Sequence, residues 1–181
     1  MKRQLLKSVL VVVMLSVFAC KKKDEDESGS ICTPVTDYTS IAIINEFAEF
    51  VTTDPDDWTE DSQWCESISS LFKTDTLNLD STVSDSVHAW AAFPNPADWH
   101  QSFSMYTEGK CIVQFIIVDE SLHIKNKYAF STHHGNNLFQ YELLQDSTAH
   151  YESGHYYRMY YTAHAQDHLF FYKGHGDILI Q

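Results

Sequence analysis

From residue 87 onward, apolar and polar residues alternate in short runs rich in aromatic and β-branched side chains, the two-residue period of strands half-buried in a sheet. The runs predict strands at 87–93, 102–106, 111–118, 124–130, 138–144, 155–162 and 168–172, with a last piece at 178–180. Between them lie turn signals: Pro94-Asn95-Pro96, Glu108-Gly109, Asp119-Glu120, Gly135-Asn136-Asn137, Ser153-Gly154 and Gln166-Asp167. About seven short antiparallel strands at this spacing predict an immunoglobulin-like β-sandwich over 86–181. The run Cys111-Ile112-Val113-Gln114-Phe115-Ile116-Ile117-Val118 is apolar on nearly every position, as a central strand requires.

The period changes upstream. Ile43, Ile44, Phe47, Phe50 and Val51 recur at helical spacing, with Glu46 and Glu49 opposite, which predicts a helix over 40–51 stopped by Asp54-Pro55. Trp64, Ile68, Leu71 and Phe72 predict a second helix over 59–72, with Glu60 and Asp61 suited to its first turn. A short helical pair within an acidic segment, 39–85, therefore precedes the sandwich. Residues 37–85 hold twelve Asp or Glu against the single Lys73, whereas all ten histidines lie from His88 onward.

The formal charge of −13 excludes a basic footprint for nucleic acid, while 44% hydrophobic and 14% aromatic residues suffice for a packed core. Met1-Lys2-Arg3 is a basic start, Val9 to Phe18 is mostly apolar and too short to span a bilayer comfortably, and Ser16-Val17-Phe18-Ala19-Cys20 follows. This arrangement resembles the signal peptide and lipobox of bacterial lipoproteins. The resemblance implies cleavage after residue 19, acyl chains on Cys20 and a membrane anchor; two or more chains hold a protein stably where one does not. Losing Lys2, Arg3 and Lys7 with the leader takes the charge from −13 to −16. Residues 20–38 then form the lipidated cysteine and a tether. Its stretch from Lys21 to Ser30 has no apolar residue. A Lys followed by acids after the cysteine is similar to the signal that carries some Gram-negative lipoproteins to the outer face of the outer membrane. An outer-membrane, surface-exposed protein is the expectation, against a periplasmic one.

Of the remaining cysteines, Cys32 and Cys65 form the preferred disulfide in an oxidising exported compartment, and Cys111 reads as a buried small hydrophobe. Asp54, Asp56, Asp57, Glu60 and Asp61 lack the alternation and turn glycine of a calcium loop, so a solvated acidic turn is preferred. His133-His134, His164 with His168, and His175 with Asp177 are the metal candidates. His164 and His168 flank a predicted hairpin turn rather than sharing a helix face, so turn histidines are preferred and no cofactor beyond the lipid is expected. Ser153-Gly154-His155 is not a nucleophile elbow, and no phosphate loop is present, so catalysis is not expected.

Phe93-Pro94-Asn95-Pro96-Ala97, Gly109-Lys110, the apolar strand ending in Val118-Asp119, Gly135-Asn136-Asn137, Ser153-Gly154-His155-Tyr156 and Lys173-Gly174 follow in that order. Together they resemble the C-terminal immunoglobulin-like modules of the flagellar hook-capping and type IX secretion sorting families. In the sorting family the module is an export address. Here a lipid anchor already supplies a route, no large cargo domain precedes the module, and Gly174-His175-Gly176-Asp177 implies a kink foreign to the family. The sandwich is thus expected to be the working body, with a sorting or docking module as the alternative and a metalloprotein or hydrolase behind it.

One surface suggests itself for binding. Tyr156 and Tyr160 would line one face of their strand, and Tyr157 and Tyr161 the other. One face must form the core. The other either presents a tyrosine-rich surface to an envelope protein or glycan, or is covered by the helical segment.

Overall fold

In the computed structural model the residues described are 41–72, 79, 87–143, 151–165 and 171–181, all within the compact unit Cys32–Gln181. The leader, the whole tether region with Cys20 and Cys32, and His168 lie outside them.

Alternation in His100–Thr107 places Gln101, Phe103, Met105 and Thr107 inward and leaves the residues between them half-exposed or exposed. This strand, β5, is the centre of a three-stranded sheet between β4 (Val87–Phe93) and β8 (Gly135–Glu142). The facing sheet has five strands in the order β3 (Thr59–Glu60), β10 (Phe171–Leu179), β9 (Tyr156–Ala165), β6 (Cys111–Val118) and β7 (Ile124–Ser131). Every ladder is antiparallel. Counting the sandwich strands from β4, the first, second and fifth make one sheet. The third, fourth, sixth and seventh make the other, the Greek-key division of an immunoglobulin-like sandwich, with the fourth strand on the larger sheet.

The inner faces close around aromatic rings. Phe103 meets Phe115 at 5.8 Å and Tyr161 at 5.0 Å between ring centroids, and Met105, Val113, Ile117 and Met159 are fully buried or nearly so beside them. β6 is central and buried on both faces for half its length, as its unbroken apolar run predicts. On its outer face, Ile116 and Val118 pack with Tyr160 beneath Ile68, Phe72 and Trp64.

The helical pair is replaced by other structure. Residues 43–52 form a hairpin, β1 (Ile43–Ile44) against β2 (Phe50–Thr52), not a helix. Asn45 explains the switch: its Oδ1 accepts from the amides of Phe47 and Glu49, both at 2.9 Å, and its amide donates to Glu49 at 2.8 Å. An asparagine that binds nearby backbone this way offers the chain a turn in place of helix, and the β-branched Ile43, Ile44, Val51 and Thr52 favour strands on either side. Ala48 completes the turn at φ 62°. Over 59–72 only Glu66–Ser69, α1, is α-helical, followed by a 3-10 turn at Ser70–Phe72. Thr59 and Glu60 instead extend the larger sheet, opposite His175 and Gly174. The four apolar residues of the predicted helix do gather on one patch, but short turns bring them there.

The last two predicted strands are one. Phe171–Leu179 pairs with β9 without interruption, so Gly174 and Gly176 do not mark a kink. They make room: a Cβ on Gly174 would lie 2.4 Å from the carbonyl oxygen of Thr59, and one on Gly176 would lie 2.3 Å from the Trp58 ring. The strand's glycines thus admit a close backbone and an indole.

Two buried side chains fasten the 41–60 segment to the sandwich. Asp57 accepts from the amides of Ala42 at 3.0 Å and Asp177 at 2.6 Å. Asn95 donates to the carbonyls of Ala42 at 3.0 Å and Asp177 at 2.8 Å and accepts from the Leu179 amide at 3.1 Å. Its backbone exchanges two hydrogen bonds of 2.8 Å with Ile44, tying the hairpin to the end of β4.

Candidate functional site

The hairpin so held leans over the outer face of the three-stranded sheet, and a groove opens between them. Its floor is set by small residues. On the row Ala91–Ser104–Leu138, the small Ala91 and Ser104 lie beside the larger Leu138. A β-bulge between Ala89 and Ala91 inserts Trp90 as an extra residue, and Trp90 is exposed while Ala91 and Ala92 are both buried. Bulges re-aim side chains in this manner. Ile44, Ala48 and Phe50 of the hairpin, with Phe93, Asn136 and Asn137, complete a cavity of about 300 Å³.

The surroundings are apolar to an extent unusual for a solvent face. Trp90 is 57% exposed, Leu138 56% and Phe50 45%, all three on the groove; Phe47, 74% exposed, lines the cleft at the hairpin tip. Scattered exposed apolar residues need no explanation; a contiguous patch around a groove marks a binding surface. The polar lining has little to offer a ligand. Asn137 directs its amide to Thr107 Oγ1 and to the carbonyls of His133 and Gly135, and its Oδ1 accepts from the His133 amide. Ser104 and Asn136 are the polar residues left over. Around the hairpin tip, a shallower cleft is lined by Asn45, Glu46, Phe47, Pro94, Asp98, Trp99, His100 and Gln181. Neither cleft is lined by a Lys or Arg, and the second contains two acids.

The tyrosines singled out in the sequence lie elsewhere. Tyr157 and Tyr161 face the core. Tyr160, on the opposite face, lies under Trp64, whose ring meets it edge-on at 5.7 Å. Only Tyr156 is half-buried. Residues 64–72 cover the outer sheet, which is the second of the two readings of that face. Burial holds the Tyr161 hydroxyl well above its ordinary pKa, as expected for a core phenol.

The metal candidates are likewise dispersed into internal contacts. His175 Nδ1 meets Asp61 at 2.9 Å, and Asp61 also accepts from the Trp64 indole at 2.6 Å. Asp177 binds Arg158 through two hydrogen bonds, 2.6 and 2.7 Å. His164 lies next to the end of β9, opposite Phe171 at the start of β10. Among the described residues no three His, Cys, Asp or Glu side chains gather as a metal site. Of the acidic run, Asp57 is buried at the hairpin's base and Asp54 turns back to the amide of Asp56, so the run does not converge. Cys65 is disulfide-bonded and Cys111 is free and buried against Thr132; the proposed partner of Cys65, Cys32, lies outside the described residues. No described helix is long and apolar enough to cross a membrane.

Sequence reasoning missed Trp90, Leu138, Ser104 and the hairpin's apolar face. A helical reading turned Phe47, Phe50 and Val51 toward a buried stripe, and a bulge leaves no mark in a run as apolar as Val87–Phe93. Asn45 before Phe47 and Glu49 was the available signal for the turn. Comparison of the chain with protein-family models, with curated proteins and with solved structures finds no match, so the groove's own chemistry is what bears on function.

Proposed function

We propose that this chain is a lipid-anchored protein of the outer membrane, exposed at the cell surface, that binds an envelope protein or glycan non-catalytically through the groove between the β1–β2 hairpin and the three-stranded sheet. The observation that carries the reading is the patch itself: Phe50, Trp90 and Leu138 remain exposed around one groove, while the tyrosine-bearing sheet is covered. Leaving that much apolar surface in water is unfavourable by roughly 25 cal/mol per Å², which a partner recovers on docking. The anchor rests on the pattern ending at Cys20, which would hold the sandwich at the membrane by a charged tether. The pairing of His175 with Asp61 and of Arg158 with Asp177 supports a structural role for the groups that suggested catalysis or metal.

The test is site-specific photo-crosslinking in intact cells. A photoreactive residue replacing Trp90 should yield a discrete adduct, and the same residue replacing Ile124, exposed on the far sheet, should not. Equal labelling at both positions, or none at Trp90, would sink the proposal.

A further inference from the structure

We propose that the partner docks as an extended polypeptide strand, adding to the edge of β8 that no described strand pairs and laying apolar side chains against Leu138 at the groove's wall, with basic residues alongside. This rests on the binding role proposed above and specifies its ligand. Three observations point the same way.

The first is the edge. Among the described residues β8 pairs with β5 alone. At its start, Asn137 closes the turn through His133 and Gly135, and at its end the carbonyl of Glu142 accepts from Tyr128. Between them, across residues 138–141, the described residues supply no second strand. Exposed edges are usually blocked by charge, proline or a covering element. Of the sandwich's other described edges, β7 carries Lys125 and Lys127, β10 is capped by β3, and β4 is broken by the bulge at Trp90. Residues 138–141, Leu-Phe-Gln-Tyr, contain neither charge nor proline.

The second is the groove's place on that sheet. Leu138, on the edge strand, is also a wall of the cavity, so a strand added beside it would set the alternate side chains that share the groove's face of the sheet against Leu138. The lining's largely internal hydrogen bonding favours apolar side chains over a sugar, whose hydroxyls would need partners that Ser104 and Asn136 alone would supply.

The third is charge. Glu46 and Glu49 sit on the hairpin and Asp98 on the neighbouring cleft, with no Lys or Arg lining either. The whole chain is at −13. A basic strand is attracted, and a second copy of this chain is repelled.

The experiment uses the full-length lipidated chain in detergent micelles and a short synthetic peptide in which valine and lysine alternate. Binding is read by Trp fluorescence and by hydrogen exchange. The expected result is saturable binding that weakens with salt, with slowed exchange at the amides of residues 138–141. Leu138→Lys, at an exposed position, should weaken it about tenfold, and Ile124→Lys should leave it unchanged. A peptide N-methylated at successive amides, which blocks both of its edges, should fail. If the N-methylated peptide binds equally well, strand addition is wrong and groove binding stands. If the peptide does not bind but an immobilised glycan does, or the chain self-associates and Leu138→Lys disperses it, the strand proposal is overturned while a binding role survives. Failure of all three, together with no adduct at Trp90, removes both.

Discussion

Protonation of Asp57 should govern how firmly the 41–60 segment is held. Burial lifts its pKa from 3.8 to about 6, and the nearby Asp177 carboxylate adds to the rise, although the amides of Ala42, Asp177 and Trp58 stabilise the anion. Arg158, bound to Asp177, is the cation on that side. The folded state therefore holds a proton more tightly than the unfolded chain between those two pH values. By linkage, stability from this group is fully present below about pH 4 and is lost as pH rises through about 6, by roughly 3 kcal/mol for a shift of this size. For a domain of this length that corresponds to about 2–4 °C in Tm per kcal/mol. Asp57→Asn imitates the protonated acid in shape and lacks the charge. It forfeits one acceptor, at about 1–2 kcal/mol, and escapes the penalty of a buried anion. Urea unfolding at pH 4, 5, 6 and 7 should then show a wild-type stability that falls across the window and a variant curve that is flatter, so that the two converge or cross toward neutral pH. The difference between the curves isolates Asp57 from the histidines, which titrate in both proteins. Parallel curves would refute the reasoning and mean that the two amides, rather than burial, dominate at this carboxylate.

Gly176→Ala should destabilise the fold by about 1–3 kcal/mol in chemical denaturation, because its Cβ would meet the Trp58 ring at 2.3 Å, whereas Gly109→Ala, with nothing within 4 Å, should change little. Asn95→Ala removes three hydrogen bonds, two of them buried, and should lower stability by about 2–4 kcal/mol, with faster hydrogen exchange in the β1–β2 hairpin than in β6; uniform exchange changes would argue against its role as a local clamp. Cys20→Ser should abolish metabolic labelling with a fatty-acid analogue and release the protein from the membrane fraction, and retained label would refute lipidation at that residue.

The strands of the sandwich were legible because burial on one face writes a two-residue period into the chain. β4, β6 and β7 begin where the pattern places them, and the continuous apolar run of β6 identified it as central. The apolar set Trp64, Ile68, Leu71 and Phe72 was also legible as a unit, because it must be buried whichever turns carry it. Tertiary structure decided the rest. Residues 40–51 satisfy helical spacing as well as a hairpin, and the choice fell to Asn45 binding its own backbone and to Asp57 and Asn95 reaching across the fold for distant amides and carbonyls. Which face of β9 meets solvent depended on residues 64–72 folding over it, a contact between elements that no local pattern encodes. The groove needed three such decisions at once: a bulge at Trp90, a small Ser104 opposite Leu138, and a hairpin pinned above them. Local periodicity reports burial within an element. A binding surface is made of what separate elements leave uncovered, so it exists only once they are packed.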